Sequence, residues 1–285
     1  MHIDVETKVF GLIGYPLSHS LSPLMHNQAF TVAGINAVYL PFPVHPNQFS
    51  SVVDAAKTLK IPGFNVTIPY KEMIIPYLDE IDQEAGRCGS VNLVIIEDGR
   101  ALGFNTDGVG FLDALRQEGH VPSGLAIILG AGGAARALGY TLAINGMETV
   151  FVNRSLPRAR LLAQEIMSLT GQESQAMEYG GGKVHEYLDR AKLVVNTTPL
   201  GMFPDNSLMP DIDLRGADSG TIICDIIYNP MNTRLLQEAR SLGLRTMDGT
   251  GMFVNQGVRS WEMMVGKKAP RQEMYDVVQK RLLED

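Results

Sequence analysis

LAIILGAGGAARALG, residues 125–139, decides the fold: a short apolar run meets Gly130, Gly132 and Ala135 in the spacing G-x-G-x-x-A, and a helical pattern opens at once. Gly130 permits a tight turn, Gly132 lets the backbone approach a pyrophosphate, and the small Ala135 lets helix and strand pack closely. The start of the helix supplies unpaired N–H groups and positive partial charge. Glycines in an ordinary strand-to-helix turn could show the same spacing, so the flanking elements carry the decision. They alternate: AIIL, a helix from Gly133 to Asn145, TVFVN, a helix from Leu156 to Thr170, KLVVN and TIICDII. This series predicts a Rossmann-type, doubly wound dinucleotide-binding domain.

The end of the second strand of that series selects the dinucleotide. A carboxylate about 20 residues on is the usual reader of a ribose 2′-OH. Here the strand runs into Asn153, Arg154, Ser155 and Arg158, with no carboxylate. Two guanidiniums and a hydroxyl offer charge-assisted bonds to a 2′-phosphate, so NADP is the expected cofactor; the alternative is a solvated basic loop.

Towards the N-terminus, KVFGLIG, PLMHNQAFTVAG, AVYLPFPV, FSSVVDAAKTL and GFNVTIP read as βαβαβ. LVIIE and ALGF flank Asp98-Gly99 as a hairpin with a primed turn. The fold class is therefore α/β: an N-terminal α/β domain with a mixed, mainly parallel sheet, joined to the Rossmann-type domain. Met252, Val258, Trp261, Met264, Val277 and Leu282 keep helical spacing and predict a C-terminal return to the first domain. The boundaries follow as 1–106 with 238–285 for one domain and 107–237 for the other. GGGK near Gly180 is a short glycine-rich loop.

Bulk properties narrow the function classes. Hydrophobic residues make up 45% and charged residues 19% of 285, enough apolar surface for two cores. The formal charge is −7 without a basic stripe, which argues against nucleic acid and leaves a small anionic ligand open. Cys88 and Cys224 are far apart and lack metal-ligand spacing, so no metal is expected. The start, MHIDVETK, lacks an apolar core, and Arg136 with several glycines interrupts the apolar stretch 125–144. A cytoplasmic protein with no membrane partner is expected, as monomer or homodimer.

Three segments place polar groups where folding alone does not require them: SHSLSP (18–23), NVTIPYK (65–71) and FNTDGVG (104–110). Ser22-Pro23 reads as an N-cap followed by proline at the first helical position, which by itself would explain Ser22. Ser20 and Ser22 at a helix start would equally make a carboxylate site. Lys71 and Asp107 are candidate functional charges, with surface charges as the plain alternative.

Those segments, with GSVNLV, GAGGAARA, NRSLPRA, NTTPLGM, DIIYNP and DGTGMFVNQG, closely resemble the shikimate dehydrogenase family over essentially the whole chain. The resemblance implies reversible NADPH-dependent reduction of 3-dehydroshikimate to shikimate, a step toward chorismate and the aromatic amino acids. By position, Ser20, Ser22 and Tyr228 are implied ligands of the substrate carboxylate. Thr67, Asn92, Asp107 and Gln256 are implied to bond the ring hydroxyls. Lys71 resembles the family's acid or base, working beside Asp107. Gly130, Ala131, Gly132, Gly133 and Ala134, with residues 153–158, Ile226 and Gly249, would line the cofactor. The chain departs from the commonest pattern at Leu93, where threonine is usual, and at Gln83, where an acidic residue is frequent. A quinate/shikimate dehydrogenase using NAD or NADP is the nearest alternative, and a non-catalytic metabolite sensor a distant one.

Overall fold

The computed structural model describes residues 3–180 and 184–284. Met1, His2 and Asp285, and Gly181 to Lys183 of the glycine-rich loop, lie outside the described residues. The chain divides into two compact units, Met1–Gly110 with Val254–Asp285, and Phe111–Phe253.

In the first unit the order is β1 (Lys8–Gly14), α1 (Ser22–Val32), β2 (Ala37–Pro43), α2 (Val52–Thr58), β3 (Gly63–Val66), β4 (Glu80–Ile81), α3 (Gln83–Cys88), β5 (Leu93–Glu97) and β6 (Arg100–Phe104). These strands form one six-stranded sheet in the order β2-β1-β3-β5-β6-β4. β5 alone runs against its neighbours; the other pairings are parallel, giving the expected mixed sheet. Its reversal is made by the predicted hairpin: Asp98 at φ 50° and Gly99 at φ 76° supply the two left-handed residues of a primed turn. One face of the sheet covers a core that includes Phe49, Val53, Phe64, Val66 and Tyr70.

α4 (Asp107–Gln117) leads into β7 (Leu125–Leu129), α5 (Gly133–Ile144), β8 (Glu148–Asn153), α6 (Leu156–Thr170), β9 (Ser174–Glu178), α7 (His185–Leu188), β10 (Ala191–Asn196), β11 (Ile222–Asp225), α8 (Arg234–Ser241) and β12 (Arg245–Met247). The second sheet has the order β12-β11-β10-β7-β8-β9 with every pairing parallel. That is the doubly wound order, and its reversal lies between β7 and β10, where such folds bind ligands beyond the strand ends. Strands buried on both faces read as continuous apolar runs, and all five residues of β7 are buried.

The expected boundaries shift at both ends. The chain leaves the second unit at Val254, not at 238, because β12 pairs in parallel with β11 and α8 packs on both. β12 is only Arg-Thr-Met, too short and polar to show a strand pattern. The first crossing falls inside α4 at Gly110, a few residues past the expected 106.

The C-terminal return is α9 (Thr250–Val265) and α10 (Arg271–Glu284). Trp261 is fully buried against the Phe30 ring of α1, centroids 5.9 Å apart. On α10 the buried residues are Met274 and Val278, one position away from the predicted Val277. Among the described residues no helix is long and apolar enough to cross a membrane.

Candidate active site

Strand direction explains why the first unit's polar residues converge. β1 and β3 are parallel, with Ile13 opposite Val66, so the loops after them leave the sheet at one edge. β5 runs the other way with Leu93 opposite Asn65, which brings its start, and Asn92 before it, to that edge. β6 returns with Phe104 opposite Leu93, so residues 105–107 leave there too. Backbone bonds tie these loops together: Tyr15 N–H to Ile68 O at 3.1 Å, Thr67 N–H to Ile13 O at 2.9 Å and Val91 N–H to Lys71 O at 2.8 Å. Ser20, Ser22, Thr67, Lys71, Asn92 and Asp107 therefore share one edge.

At the centre, Lys71 Nζ donates to Asp107 Oδ2 at 2.5 Å. Their side chains are 20% and 5% exposed, so the pair is largely withdrawn from solvent screening. Asn92 Nδ2 donates to Asp107 Oδ1 at 2.8 Å and to Thr106 Oγ1 at 2.9 Å. Its Oδ1 accepts from the Thr106 N–H at 2.8 Å. Asn105 Oδ1 accepts from the Asp107 N–H at 2.9 Å, and its Nδ2 donates to Ser90 O at 2.7 Å. Both Asp107 oxygens are thus held, and the carboxylate fixes an ammonium that keeps further donors for a ligand oxygen. Asn92, 2% exposed, spends both of its N–H groups inside the protein.

Ser22 is not the cap of α1. Leu21 occupies that position, no side chain caps the helix, and Ser22 follows it with Pro23 next. Ser20 Oγ accepts from the Ser22 N–H at 3.3 Å, so the Ser22 hydroxyl is not consumed by capping. Gln256, on α9, lies with its backbone against Gly110, one turn along α4 from Asp107; a Cβ at Gly110 would stand 2.6 Å from the Gln256 nitrogen. Tyr228 belongs to the second unit, half-buried and stacked on Phe253 at 4.2 Å between centroids. The expected carboxylate set is therefore divided, serines in one unit and tyrosine in the other. Leu93 is fully buried in β5, and Gln83 opens α3 behind its cap Asp82, so neither departure alters this polar cluster.

In the second unit the glycine-rich turn has the expected geometry. Gly130 adopts φ +120°, and a Cβ there would stand 2.6 Å from Thr197 Oγ1. Thr197 itself donates from N–H and Oγ1 to Leu129 O at 2.9 and 2.7 Å, fastening the loop after β10 to the end of β7. Gly132 is the cap residue of α5 with no side-chain cap, and a Cβ on it would meet nothing within 4 Å. The first N–H groups of α5, at Gly133 and Ala134 beside Ala131, have no acceptor within the helix. Arg136 is occupied by an ion pair with Glu165.

Asn153 ends β8 and its Nδ2 donates to Ser155 O at 3.2 Å. Arg154, Ser155 and Arg158 are exposed, and among the described residues neither arginine has an ion pair. Ile226 N–H donates to Asn196 O at 3.1 Å, and Gly249 N–H to Ile227 O at 3.0 Å, placing both at the ends of β11 and β12. An uncapped helix start, an open glycine and free guanidiniums together fit a phosphorylated dinucleotide. Among the described residues no cluster of His, Cys, Asp or Glu could hold a metal ion.

Sequence reading missed Thr197, Asn196 and Asp225 around the switch point, and Asn65, Thr106 and Ser260 around Asn92. Asn65 and Thr106 lie inside motifs already singled out; Ser260 has no local signal, because Thr106 is 154 residues away.

A family model described as the shikimate dehydrogenase substrate binding domain matches residues 12–94, and one described as the shikimate 5'-dehydrogenase C-terminal domain matches residues 249–279. A shikimate dehydrogenase (NADP(+)) of Syntrophomonas wolfei is 43% identical over 285 residues, 99% of this chain and 98% of that one. Its counterpart from Methanopyrus kandleri is 44% identical over 283 residues, 98% of each. The crystal structure of a shikimate dehydrogenase in complex with NADP+ superposes with a TM-score of 0.93 at 39% identity, covering 99% of this chain and 98% of the other. With likeness of this degree running through both units, the chain belongs to the shikimate dehydrogenase family.

Proposed function

We propose that the chain reversibly reduces 3-dehydroshikimate to shikimate with NADPH, with Lys71 as the acid and base of the reaction. The observation that carries this reading is the Lys71–Asp107 pair, 2.5 Å apart and largely buried, with Asn92 on the other carboxylate oxygen. When bound, the nicotinamide supplies the two-electron reducing equivalent for the ketone. Lys71 donates a proton to the ketone oxygen as negative charge develops there, and its positive charge stabilises that oxygen. In the oxidation direction the neutral amine takes the proton back. Asp107 keeps the ammonium in place, and Asn92 keeps Asp107 in place.

Ser20 and Ser22 offer hydroxyl donors to the substrate carboxylate, and Thr67, Asp107 and Gln256 serve the ring hydroxyls. Gly130 to Ala134 and the start of α5 hold the pyrophosphate. Arg154, Ser155 and Arg158 take the 2′-phosphate, and Asn153 brings no opposing charge. A non-catalytic sensor would have no need of a buried lysine–aspartate pair. Steady-state assays with shikimate and quinate, each with NADP and NAD, test the reading: shikimate with NADP gives the highest kcat/KM, and a higher value for quinate or for NAD overturns it.

A further inference from the structure

Behind the Lys71–Asp107 pair lies a second layer of buried polar groups. Tyr39 OH donates to Asn65 Oδ1 at 2.9 Å, and Asn65 Nδ2 donates to Ser260 Oγ at 2.9 Å and to Asn92 O at 3.0 Å. Ser260 Oγ lies 3.1 Å from Thr106 Oγ1, the atom that accepts from Asn92 Nδ2. Thr106 is 3% exposed and Ser260 is fully buried on α9, so water does not compete for these bonds.

We propose that Thr106 and Ser260 are positioning residues that fix the Asn92 amide, and through it Asp107, against Lys71; this rests on the reading of Lys71 as the acid and base. An amide is nearly symmetric in shape, and its two orientations differ only in where the donors point. Reversed, Asn92 would set its oxygen against Asp107 Oδ1 and an N–H against the Thr106 N–H. The Thr106 N–H, which can only donate, and the Asp107 carboxylate, which only accepts, oppose that reversal, and Thr106 Oγ1 clamps the amide between them, 2.9 Å from Nδ2 and 3.2 Å from Oδ1. Ser260 holds the Thr106 hydroxyl in that rotamer: when Thr106 donates to Ser260 its oxygen only accepts, from Asn92 Nδ2, and when Ser260 donates, the Thr106 proton is directed to Asn92 Oδ1. Without the Ser260 hydroxyl, Asn65 loses an acceptor and the Thr106 side chain loses the contact that selects its rotamer. Helix α9 thereby contributes to the geometry of a pair built from β3, β5 and α4 segments.

Thr106→Val keeps the shape and removes the hydroxyl; Ser260→Ala removes the other. Each lowers kcat about three- to tenfold, the range of one ordinary hydrogen bond, with the KM for NADP unchanged. Because one device is broken in both, the double variant falls no further than the worse single variant. Thr106→Ser, which retains the hydroxyl, returns kcat to within about twofold of the parent. NMR supplies a readout without turnover: exchange of the Asn92 side-chain NH2 protons accelerates in Thr106→Val and Ser260→Ala and not in Thr106→Ser. Parental kcat in both singles, multiplying losses in the double variant, or unchanged Asn92 exchange overturns the proposal. Absence of turnover of shikimate with NADP by the parent protein would overturn the functional reading instead, and the exchange rates would still judge the positioning device.

Discussion

Asp107 and Asp225 are both almost fully buried, 3% and 1% exposed, one in each unit, yet they sit in opposite electrostatic company. Asp107 has an ammonium on one oxygen and Asn92 on the other. Among the described residues Asp225 has only neutral donors: Thr233 Oγ1 at 2.8 Å, and Ile227 N–H and Asn196 Nδ2 at 3.1 Å each. Burial pushes the Asp225 carboxyl up to about 6, those donors pull it back in part, and Asp248 adds to the rise. The contrast extends to the surroundings. The first unit's functional groups are bonded to one another before any ligand arrives, while the second unit's cradle is made of uncapped N–H groups, an open glycine and unpaired arginines. A proton-transferring pair needs a fixed geometry, and a cofactor cradle needs unspent donors.

Lys71→Ala breaks the contrast most severely. It lowers kcat about 10²- to 10⁴-fold, the usual contribution of a general acid or base. The affinity for NADP stays near the parental value, because the cradle residues belong to the other unit. Lys71→Arg does not restore the rate, since a guanidinium stays protonated and cannot serve as base in the oxidation direction. Near-normal kcat with only a raised KM for shikimate would make Lys71 a binding residue.

The next effect concerns acid, to which the two units respond with opposite sign. Asp225 stays protonated in the folded chain between its ordinary value of 3.8 and about 6, while the unfolded chain has already lost the proton. Folding takes up a proton in that window, so the Asp225 contribution falls as pH rises through it, by about 3 kcal/mol at 1.36 kcal/mol per unit. His26 works the other way. Fully buried and stacked on Tyr39 at 4.3 Å between centroids, it is pushed by burial from 6.5 down to about 3. It is neutral when folded and protonated when unfolded, so its contribution is present above pH 6.5 and is lost as pH falls toward 3. Between pH 4 and 6, denaturant unfolding therefore separates them: Asp225→Asn gains stability relative to the parent as pH rises, and His26→Phe gains as pH falls. Parallel pH curves for parent and both variants would show that neither group titrates as burial dictates.

How much of this was legible in the sequence follows from the range of the interactions. The doubly wound unit was readable because β7, β8, β10 and β11 are apolar runs and Gly130 stands where φ is positive. β9, Ser-Gln-Ala-Met-Glu, and β12, Arg-Thr-Met, are edge strands without an apolar pattern, and missing β12 put the chain's return at 238 instead of 254. Lys71 and Asp107 are visible in the sequence only as charges in the polar segments after a strand and at the crossing between domains, where surface charge explains them equally, and that Asn92 grips the carboxylate cannot be read from spacing alone. Ser-Pro is the usual helix opening, so the sequence leaves capping and a carboxylate site both open for Ser22, and the actual cap, Leu21, carries no capping side chain to signal itself. Ser260 was invisible, since an amphipathic helix hides a buried hydroxyl among its apolar residues.

The smallest effect tests the unspent donors of the second unit one at a time. Arg154 is exposed and has no ion pair among the described residues, so replacing it removes no internal contact worth more than a few tenths of a kcal/mol. Tyr179, on which it acts electrostatically, does not neutralise it: burial pushes the phenol up to about 12, with Arg154 pulling it down, so the ring stays uncharged at neutral pH. The full positive charge is therefore available to a dianionic 2′-phosphate, and NAD, which lacks that group, has nothing for it to bind. Arg154→Ala raises the KM for NADP about tenfold, the lower range for a charge-assisted hydrogen bond at an exposed site, and leaves that for NAD within about twofold. The difference shrinks as salt is added, because the site is open to solvent. Arg154→Lys recovers part of it, keeping the charge without the planar fork. The thermal midpoint does not move. Equal losses for NADP and NAD would mean that Arg154 acts on the shared part of the dinucleotide, and a lowered midpoint would mean that it was bonded after all.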